Sequence, residues 1–131
     1  MKFLLDTHIW LWIHREDCKL TSEVHQSLAD PANDLWLSPI SIWELVILVE
    51  KKRVTLREEM DRWVEKSKRE LSLREAPFSW EVANELRFTL LGHRDPADRF
   101  LVATARVYDL TLVTADERLM HLPGLSVLAN R

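Results

Sequence analysis

The chain has 131 residues, 47% of them apolar and only two of them glycine, which disfavours disorder and suits a single domain over residues 1–131. The formal net charge of −3 speaks against a general nucleic-acid-binding protein, and a lone cysteine, Cys18, excludes a disulfide framework and a cysteine-based zinc site. No signal-peptide pattern or apolar stretch of 18 residues is present, so we expect a cytoplasmic protein.

Short apolar segments alternate with helical patterns in the first half of the chain. Residues 2–5 predict a buried strand that ends at Asp6. The other elements predicted here are a helical turn over 9–13, a helix from Thr21 or Ser22 to about Asp30, a strand over 35–37, and an apolar helix over 42–49 that Ser41 caps or opens.

The second half continues the alternation. The elements predicted in it are a charged helix over 56–71, a strand near 71–73, a helix from Ser79 to about Leu91, a helix that starts after Asp95, a strand over 110–113, a turn over 117–120 and a strand over 126–128. Nine of the 18 Lys and Arg residues fall within 51–74, which is either a solvated face or a phosphate-binding track. Strands that alternate with helices predict a parallel sheet covered on both faces.

Two carboxylates stand at the head of the helix that starts after Asp95. Asp followed by Pro96 is a helix-start pattern, because Asp caps free backbone N–H groups and Pro tolerates the first helical position. Asp98 shares a stripe with Val102 and Ala105, so we expect its side chain to point toward the protein interior. From this segment alone, Asp95 is better explained as a cap than as a ligand, and Asp98 equally well as part of a capping box or as a functional acid.

Four acids from four segments form what we call the acidic cluster: Asp6, Glu44, Asp98 and Asp116. Asp6 and Asp116 follow predicted strands, and α/β proteins bind ligands at the carboxyl ends of their strands. Glu44 and Asp98 each lie near the start of an apolar helix. Each acid alone has an ordinary explanation as a cap, a turn residue or a solvated residue. Together they predict one acidic pocket.

Electrostatic repulsion decides what such a cluster must hold. Two carboxylates about 5 Å apart repel by roughly 3 kcal/mol at an effective dielectric constant near 20. Because a domain has only about 5–15 kcal/mol of net stability, protons or a cation must relieve this repulsion. All-oxygen ligands favour Mg²⁺ or Mn²⁺ over zinc, and carboxylate-held Mg²⁺ is typical of phosphodiester hydrolysis.

Four blocks of the sequence resemble, in order and spacing, the PIN-domain ribonucleases and specifically the VapC-like toxins of bacterial toxin–antitoxin pairs. The blocks are Leu4–His8, Ser41–Glu44, His93–Ala105 and Leu112–Asp116, of which the third is the most specific. The similarity extends over essentially the whole chain. It implies a three-layer α/β/α PIN-like domain with a central, short-stranded parallel sheet.

The resemblance also implies an activity, a cofactor and partners. The four acids of the cluster would be the catalytic, metal-binding residues of a Mg²⁺- or Mn²⁺-dependent endoribonuclease, with Thr114 in support through a hydrogen bond. Asp95, one turn from Asp98, could add to this support through a water molecule. Arg94 and Arg99 are candidates either for contact with RNA phosphate or for salt bridges to acids. The implied partners are an RNA substrate, an antitoxin whose C-terminal tail covers the acidic groove, and a second copy in a homodimer.

The chain departs from this family's pattern near the site. Many relatives carry Lys where this chain has Leu48, and Gly-Lys-Leu where it has Lys52-Arg53-Val54. These differences lie at the rim and leave substrate choice open.

Two other classes of function compete with a nuclease. A haloacid-dehalogenase-type phosphatase also begins with a strand and Asp, but such enzymes generally need a second acid where this chain has His8. A receiver-like or degenerate PIN binding module is the non-enzymatic alternative. Receivers usually carry a buried Lys after the last strand, which residues 93–116 lack, and a degenerate nuclease would be expected to have lost an acid. We therefore favour the endoribonuclease.

Overall fold

The computed structural model describes residues 1–15, 19–92 and 95–131. The strands in these ranges form one parallel sheet in the order β3-β2-β1-β4-β5. They are β1 (Lys2–Leu5), β2 (Asp34–Leu37), β3 (Arg74–Glu75), β4 (Thr111–Thr114) and β5 (Val127–Ala129). The α-helices are α1 (Thr7–Ile13), α2 (Ser22–Ala29), α3 (Pro39–Glu50), α4 (Met60–Glu70), α5 (Trp80–Glu85) and α6 (Pro96–Tyr108), with 3₁₀ turns at Leu86–Phe88 and Glu117–Leu119. None of these helices combines the length and apolar character needed to cross a membrane.

Two apolar cores lie on opposite faces of the sheet, because successive strand side chains point to opposite sides. On one face, Phe3 and Leu5 pack in a core to which α1, α2, α3 and α4 contribute Trp10, Val24, Leu45 and Val64. On the other face, Leu4 packs with side chains of α6, among them Leu101 and Val102. The expectation of a three-layer α/β/α fold is confirmed. Trp10 is fully buried in the first of these cores.

The order of the strands places the cluster at one edge of the sheet. From β1 the chain builds outward to β2 and β3 on one side, and β4 and β5 lie on the other. The strand order therefore reverses between the neighbouring strands β1 and β4. Open α/β sheets bind ligands at such a switch point, at the carboxyl ends of the strands. Asp6 directly follows β1, and Asp116 lies two residues beyond β4.

Helix α3 begins earlier than the sequence pattern predicts. Ser38 is its cap, accepting a hydrogen bond from the Ile40 N–H (3.1 Å), and Pro39 takes the first helical position. Ser41, predicted as the cap, instead lies inside the helix with its side chain buried. The Ser38-Pro39 pair is the same start signal as Asp95-Pro96, and it accounts for the earlier start of α3.

The segment between α3 and β3 also differs from its prediction. Helix α4 begins at Met60, not near residue 56, and its end is followed by Ser72 in a left-handed conformation (φ 50°). That turn delays β3 to Arg74–Glu75, beyond the predicted 71–73. Lys52 is likewise left-handed (φ 57°), at the position where the resemblance expects Gly. Glycine reaches this conformation without the steric cost that Lys incurs.

The helix capped by Ser79 is shorter than the predicted 80–91. The Val82 N–H donates to Ser79 Oγ (3.2 Å), which confirms the cap. The helix tightens into the 3₁₀ turn after Glu85, and the Thr89 hydroxyl donates to the Glu85 carbonyl (2.9 Å) at its end. Residues 89–91 therefore leave the helix.

Candidate metal centre

Asp6 is held at the end of the central strand by main-chain and side-chain hydrogen bonds. Its backbone N–H donates to the Val113 carbonyl (3.0 Å), and its Oδ2 accepts a bond from Thr114 Oγ1 (2.6 Å). The side chain is buried. Burial raises the pKa of the Asp6 carboxyl, and the hydrogen bond from Thr114 opposes that rise. Asp6 is thus a carboxylate whose burial is only partly offset by its hydrogen bonds.

Glu44 faces the same edge from the second turn of α3. The Thr7 hydroxyl, itself fully buried, donates to the Glu44 carboxylate and lies 2.8 Å from Ser41 Oγ. Burial raises the pKa of Glu44 to about 7, and the negative charges of Asp6 and Asp98 add to the effect. Glu44 therefore carries a proton for part of the time near neutral pH. Neither Thr7 nor Ser41 was assigned this role from the sequence.

The head of α6 follows the predicted arrangement. Asp95 Oδ1 accepts a hydrogen bond from the Ala97 N–H (3.0 Å), so Asp95 is the helix cap. Asp98 is only 6% exposed and its stripe, with Val102 and Ala105, is buried. The expectations that Asp95 caps the helix and that Asp98 points inward are both confirmed.

Thr114 connects the acids of the two neighbouring strands. Its hydroxyl oxygen donates to Asp6 and accepts a hydrogen bond from the Asp116 backbone N–H (3.0 Å). Asp116 in turn caps the 3₁₀ turn, its Oδ1 accepting from the Arg118 N–H (2.9 Å). One buried hydroxyl thus orients both carboxylate-bearing segments.

Arg118 is a site residue that the sequence analysis missed. Its Nε lies 3.0 Å from Asp116 Oδ1, and its Nη2 lies 2.8 Å from Asp116 Oδ2 and 3.8 Å from Asp98 Oδ2. Hydrogen bonds to Asp116 raise the pKa of the Arg118 guanidinium above its usual range. Arg118 reaches Asp98 from a different segment of the chain, not from the helix that carries Asp98. Its only sequence signal is its position two residues after Asp116.

The acids of the cluster influence one another electrostatically. Asp116 contributes to the raised pKa of Asp6, and Asp6 and Asp98 contribute to that of Glu44. Asp98 and Asp116 both stabilise the charge of Arg118. The structure therefore brings the four predicted acids into one neighbourhood at the carboxyl edge of the sheet.

The donor set fits a hard divalent cation, since it consists of carboxylate and hydroxyl oxygens. Burial raises the pKa values of Asp6 and Glu44, with a contribution from neighbouring acids, so a cation bound beside these carboxylates would offset that cost. In residues 1–15, 19–92 and 95–131, however, no three His, Cys, Asp or Glu side chains are already arranged to hold a metal ion. Asp98 and Asp116 face Arg118, while Thr114 and Thr7 engage Asp6 and Glu44. A metal would require these side chains to reorient.

The two arginines predicted to contact RNA have different outcomes. Arg99 donates from Nε to the Thr89 carbonyl (2.9 Å) and from Nη2 to the Leu86 carbonyl (2.6 Å). These bonds tie α6 to the 3₁₀ turn and favour a structural role over contact with RNA or a salt bridge. Arg94, with His93 beside it, lies outside the described residues, as does Cys18.

Fold and site together define an α/β protein with an acidic ligand edge, and comparison with known proteins gives its family. The model of the PIN domain matches residues 3–125, so this chain belongs to the PIN-domain family. It is 32% identical over 117 residues to "Ribonuclease VapC22" of Mycobacterium tuberculosis, covering 88% of each chain. The match sets aside the phosphatase and receiver alternatives.

Solved structures show the same fold at lower identity. A VapBC2 complex from Rickettsia felis, bound to a DNA fragment from its promoter, aligns with a TM-score of 0.71 at 20% identity, covering 98% of each chain. A DNA-bound VapBC from Salmonella typhimurium aligns with a TM-score of 0.70 at 19% identity, again covering 98% of each chain.

Proposed function

We propose that this chain is a metal-dependent endoribonuclease that acts as the toxin of a toxin–antitoxin pair. The observation that carries the proposal is the convergence of Asp6, Glu44, Asp98 and Asp116 at the switch point of a PIN-domain sheet. The curated relative is named a ribonuclease, and the fold neighbours are toxin–antitoxin complexes. The whole chain, residues 1–131, would form one PIN domain that works in the cytoplasm.

The four acids would hold Mg²⁺ or Mn²⁺. When bound, the ion supplies positive charge at the phosphodiester and lowers the pKa of the attacking water. Thr114 positions Asp6 and the segment of Asp116 through its two hydrogen bonds. Asp95 supports the site by fixing the start of α6, which carries Asp98.

The protein's own groups can also handle protons. In the metal-free protein Glu44, with its pKa of about 7, holds a proton part of the time near neutral pH, and binding of the ion would release that proton. Its partner Thr7 fixes the direction of its carboxyl group. Because water is the nucleophile, RNA hydrolysis would proceed in line without the 2′-hydroxyl. The products would carry 5′-phosphate and 3′-hydroxyl ends.

An RNA cleavage assay tests this function. Purified wild type should cut RNA with Mg²⁺ or Mn²⁺, and EDTA should abolish cleavage. Asp98→Asn should lose nearly all activity, whereas Asp109→Asn, the same change at the far end of the same helix, should retain it. Cleavage that persists in EDTA, or products with 2′,3′-cyclic phosphate ends, would contradict the mechanism. Absence of cleavage with any RNA and either metal would favour the degenerate binding module.

An antitoxin is the proposed protein partner. Its C-terminal tail would cover the acidic edge and so exclude RNA. A cleft of about 1120 Å³ includes His8, two residues along the chain from Asp6, although its lining contains none of the four acids. Apolar Trp12 and Trp63 and basic Arg57 and Lys66 contribute to its walls. The product of the neighbouring gene should form a stable complex with this chain and inhibit cleavage, and a neighbour that does neither would contradict the toxin role.

A homodimer is the second proposed assembly. Four large apolar side chains are exposed in one short stretch: Phe78, Trp80, Phe88 and Leu90. Trp80 is 91% exposed, which is costly for an indole in water and is relieved in an interface. Light scattering should give twice the monomer mass, and Trp80→Gln should shift the equilibrium toward monomer. An unchanged mass for both proteins at the monomer value would contradict the dimer.

A further inference from the structure

We propose that Arg118 is a built-in counter-ion of Asp98 and Asp116, and that a divalent cation enters the acidic cluster only when this guanidinium moves out. The proposal rests on the metal dependence proposed above and adds a regulatory contact to it. It begins from the position of the guanidinium, which contacts Asp116 through two nitrogens and approaches Asp98 to 3.8 Å.

The cluster divides into two pairs of acids that are relieved in different ways. Asp6 and Glu44 are each hydrogen-bonded by a threonine hydroxyl. Asp98 and Asp116 share contact with a permanent cation, Arg118. Since four unrelieved carboxylates would repel strongly, this cation helps the protein to fold before any metal arrives.

The same contact places the guanidinium in competition with a metal. Arg118 Nη2 and Nε occupy both oxygens of Asp116 and the side of Asp98 that faces it. A small divalent ion needs carboxylate oxygens at short distance, so it cannot share them with an undisturbed guanidinium. The Arg118 side chain is 56% exposed, and it can therefore swing into solvent without disturbing either core.

The guanidinium of Arg118 and the divalent cation compete for the same carboxylates, so each weakens the binding of the other by the same factor. Removing the guanidinium should strengthen metal binding and weaken the metal-free fold. Metal binding should in turn release the guanidinium from Asp116.

The first measurement is Mn²⁺ titration calorimetry on the full chain. Arg118→Gln should bind Mn²⁺ roughly tenfold more tightly than wild type. Its melting temperature in EDTA should be lower, and the rise on adding Mn²⁺ should be larger. Arg87→Gln is the control, since it removes the same charge from an exposed arginine that stacks on Phe88. It should match wild type in Mn²⁺ affinity and in melting temperature, with and without Mn²⁺.

The second measurement follows the arginine Nε–H signals by NMR as Mg²⁺ is added. The Arg118 signal should move toward the position of a free arginine, while the Arg99 signal, held by the Thr89 carbonyl, should stay. If the metal binds and the Arg118 signal does not move, displacement is refuted even if affinity rises in Arg118→Gln. If wild type and Arg118→Gln bind Mn²⁺ with equal affinity, competition is refuted while metal dependence stands. If no metal binds to either protein, the proposed cofactor fails and this inference falls with it.

Discussion

Glu44 gives the stability of the metal-free protein a pH dependence that can be isolated with one substitution. Its pKa is raised from 4.5 to about 7 in the folded chain, so the folded state binds this proton more tightly than the unfolded state does. Unfolding therefore becomes easier as pH rises through this interval, because the folded state must give up a proton that the unfolded state has already lost. This loss in the free energy of unfolding is absent below about pH 4.5 and complete above about pH 7.

The structure sets the size of the effect. The difference between about 7 and 4.5 is about 2.5 pH units, which at about 1.36 kcal/mol per unit gives an upper limit near 3.4 kcal/mol. Glu44 is only half-buried, and solvent screening reduces this to about 1–2 kcal/mol. In a chain of this length that corresponds to a fall in melting temperature of about 3–8 °C.

The assay is a series of thermal melts in EDTA between pH 4.5 and 7.5, for wild type and Glu44→Gln. Asp6 also has a raised pKa and contributes a fall of the same sign in both proteins. The difference between the two curves therefore reports Glu44 together with its electrostatic coupling to Asp6, and wild type should lose stability relative to the variant as pH rises. Parallel curves would show that Glu44 does not titrate in this range and would refute the reasoning.

Three further predictions concern the supports of the site. Asp95→Asn should keep most cleavage activity because Asn also caps a helix, and Asp95→Ala should cost about 1 kcal/mol of stability. Asp98→Asn should nearly abolish activity. Equal activity losses in Asp95→Asn and Asp98→Asn would contradict the assignment of Asp95 as cap and Asp98 as ligand. Thr114→Val removes the hydroxyl that bonds Asp6 and the Asp116 N–H, so it should lower the free energy of unfolding by about 1–3 kcal/mol and raise the pKa of Asp6 further. An unchanged denaturant midpoint would count against a supporting role for Thr114. Lys52→Gly should be more stable than Lys52→Ala by up to about 1 kcal/mol, because only Gly adopts φ 57° freely; the reverse order in urea melts would disprove backbone strain there.

The parts of the fold that the sequence predicts well are those specified within one or two turns of chain. Asp95-Pro96 contains both the cap and the first residue of α6, and the inward direction of Asp98 follows from its helical spacing to Val102. The strands β1 and β2 are short apolar runs, which local pattern is enough to identify.

The parts that it misses depend on contacts between distant segments. The helix capped by Ser79 ends where Arg99, ten residues beyond Thr89, binds the carbonyls of the 3₁₀ turn. Arg118 meets Asp98 only after the chain has crossed from α6 through β4. Periodicity and capping rules describe neighbours along the chain and carry no information about such pairs. The site could therefore be predicted as a set of acids but not as a set with its own cation.

The central claim is that Asp6, Glu44, Asp98 and Asp116 form one pocket that takes a divalent cation, and thermal melts of wild type and Asp6→Asn test it most directly. The amide keeps an oxygen that can accept from Thr114 but removes one negative charge from the cluster. In EDTA, Asp6→Asn should therefore melt at a higher temperature than wild type. The gain in the free energy of unfolding should be on the order of a few kcal/mol, or less where protonation already relieves Asp6. Excess Mn²⁺ should stabilise wild type strongly and the variant much less. A lower melting temperature for Asp6→Asn in EDTA, together with equal shifts on adding Mn²⁺, would show that the acids do not form one pocket.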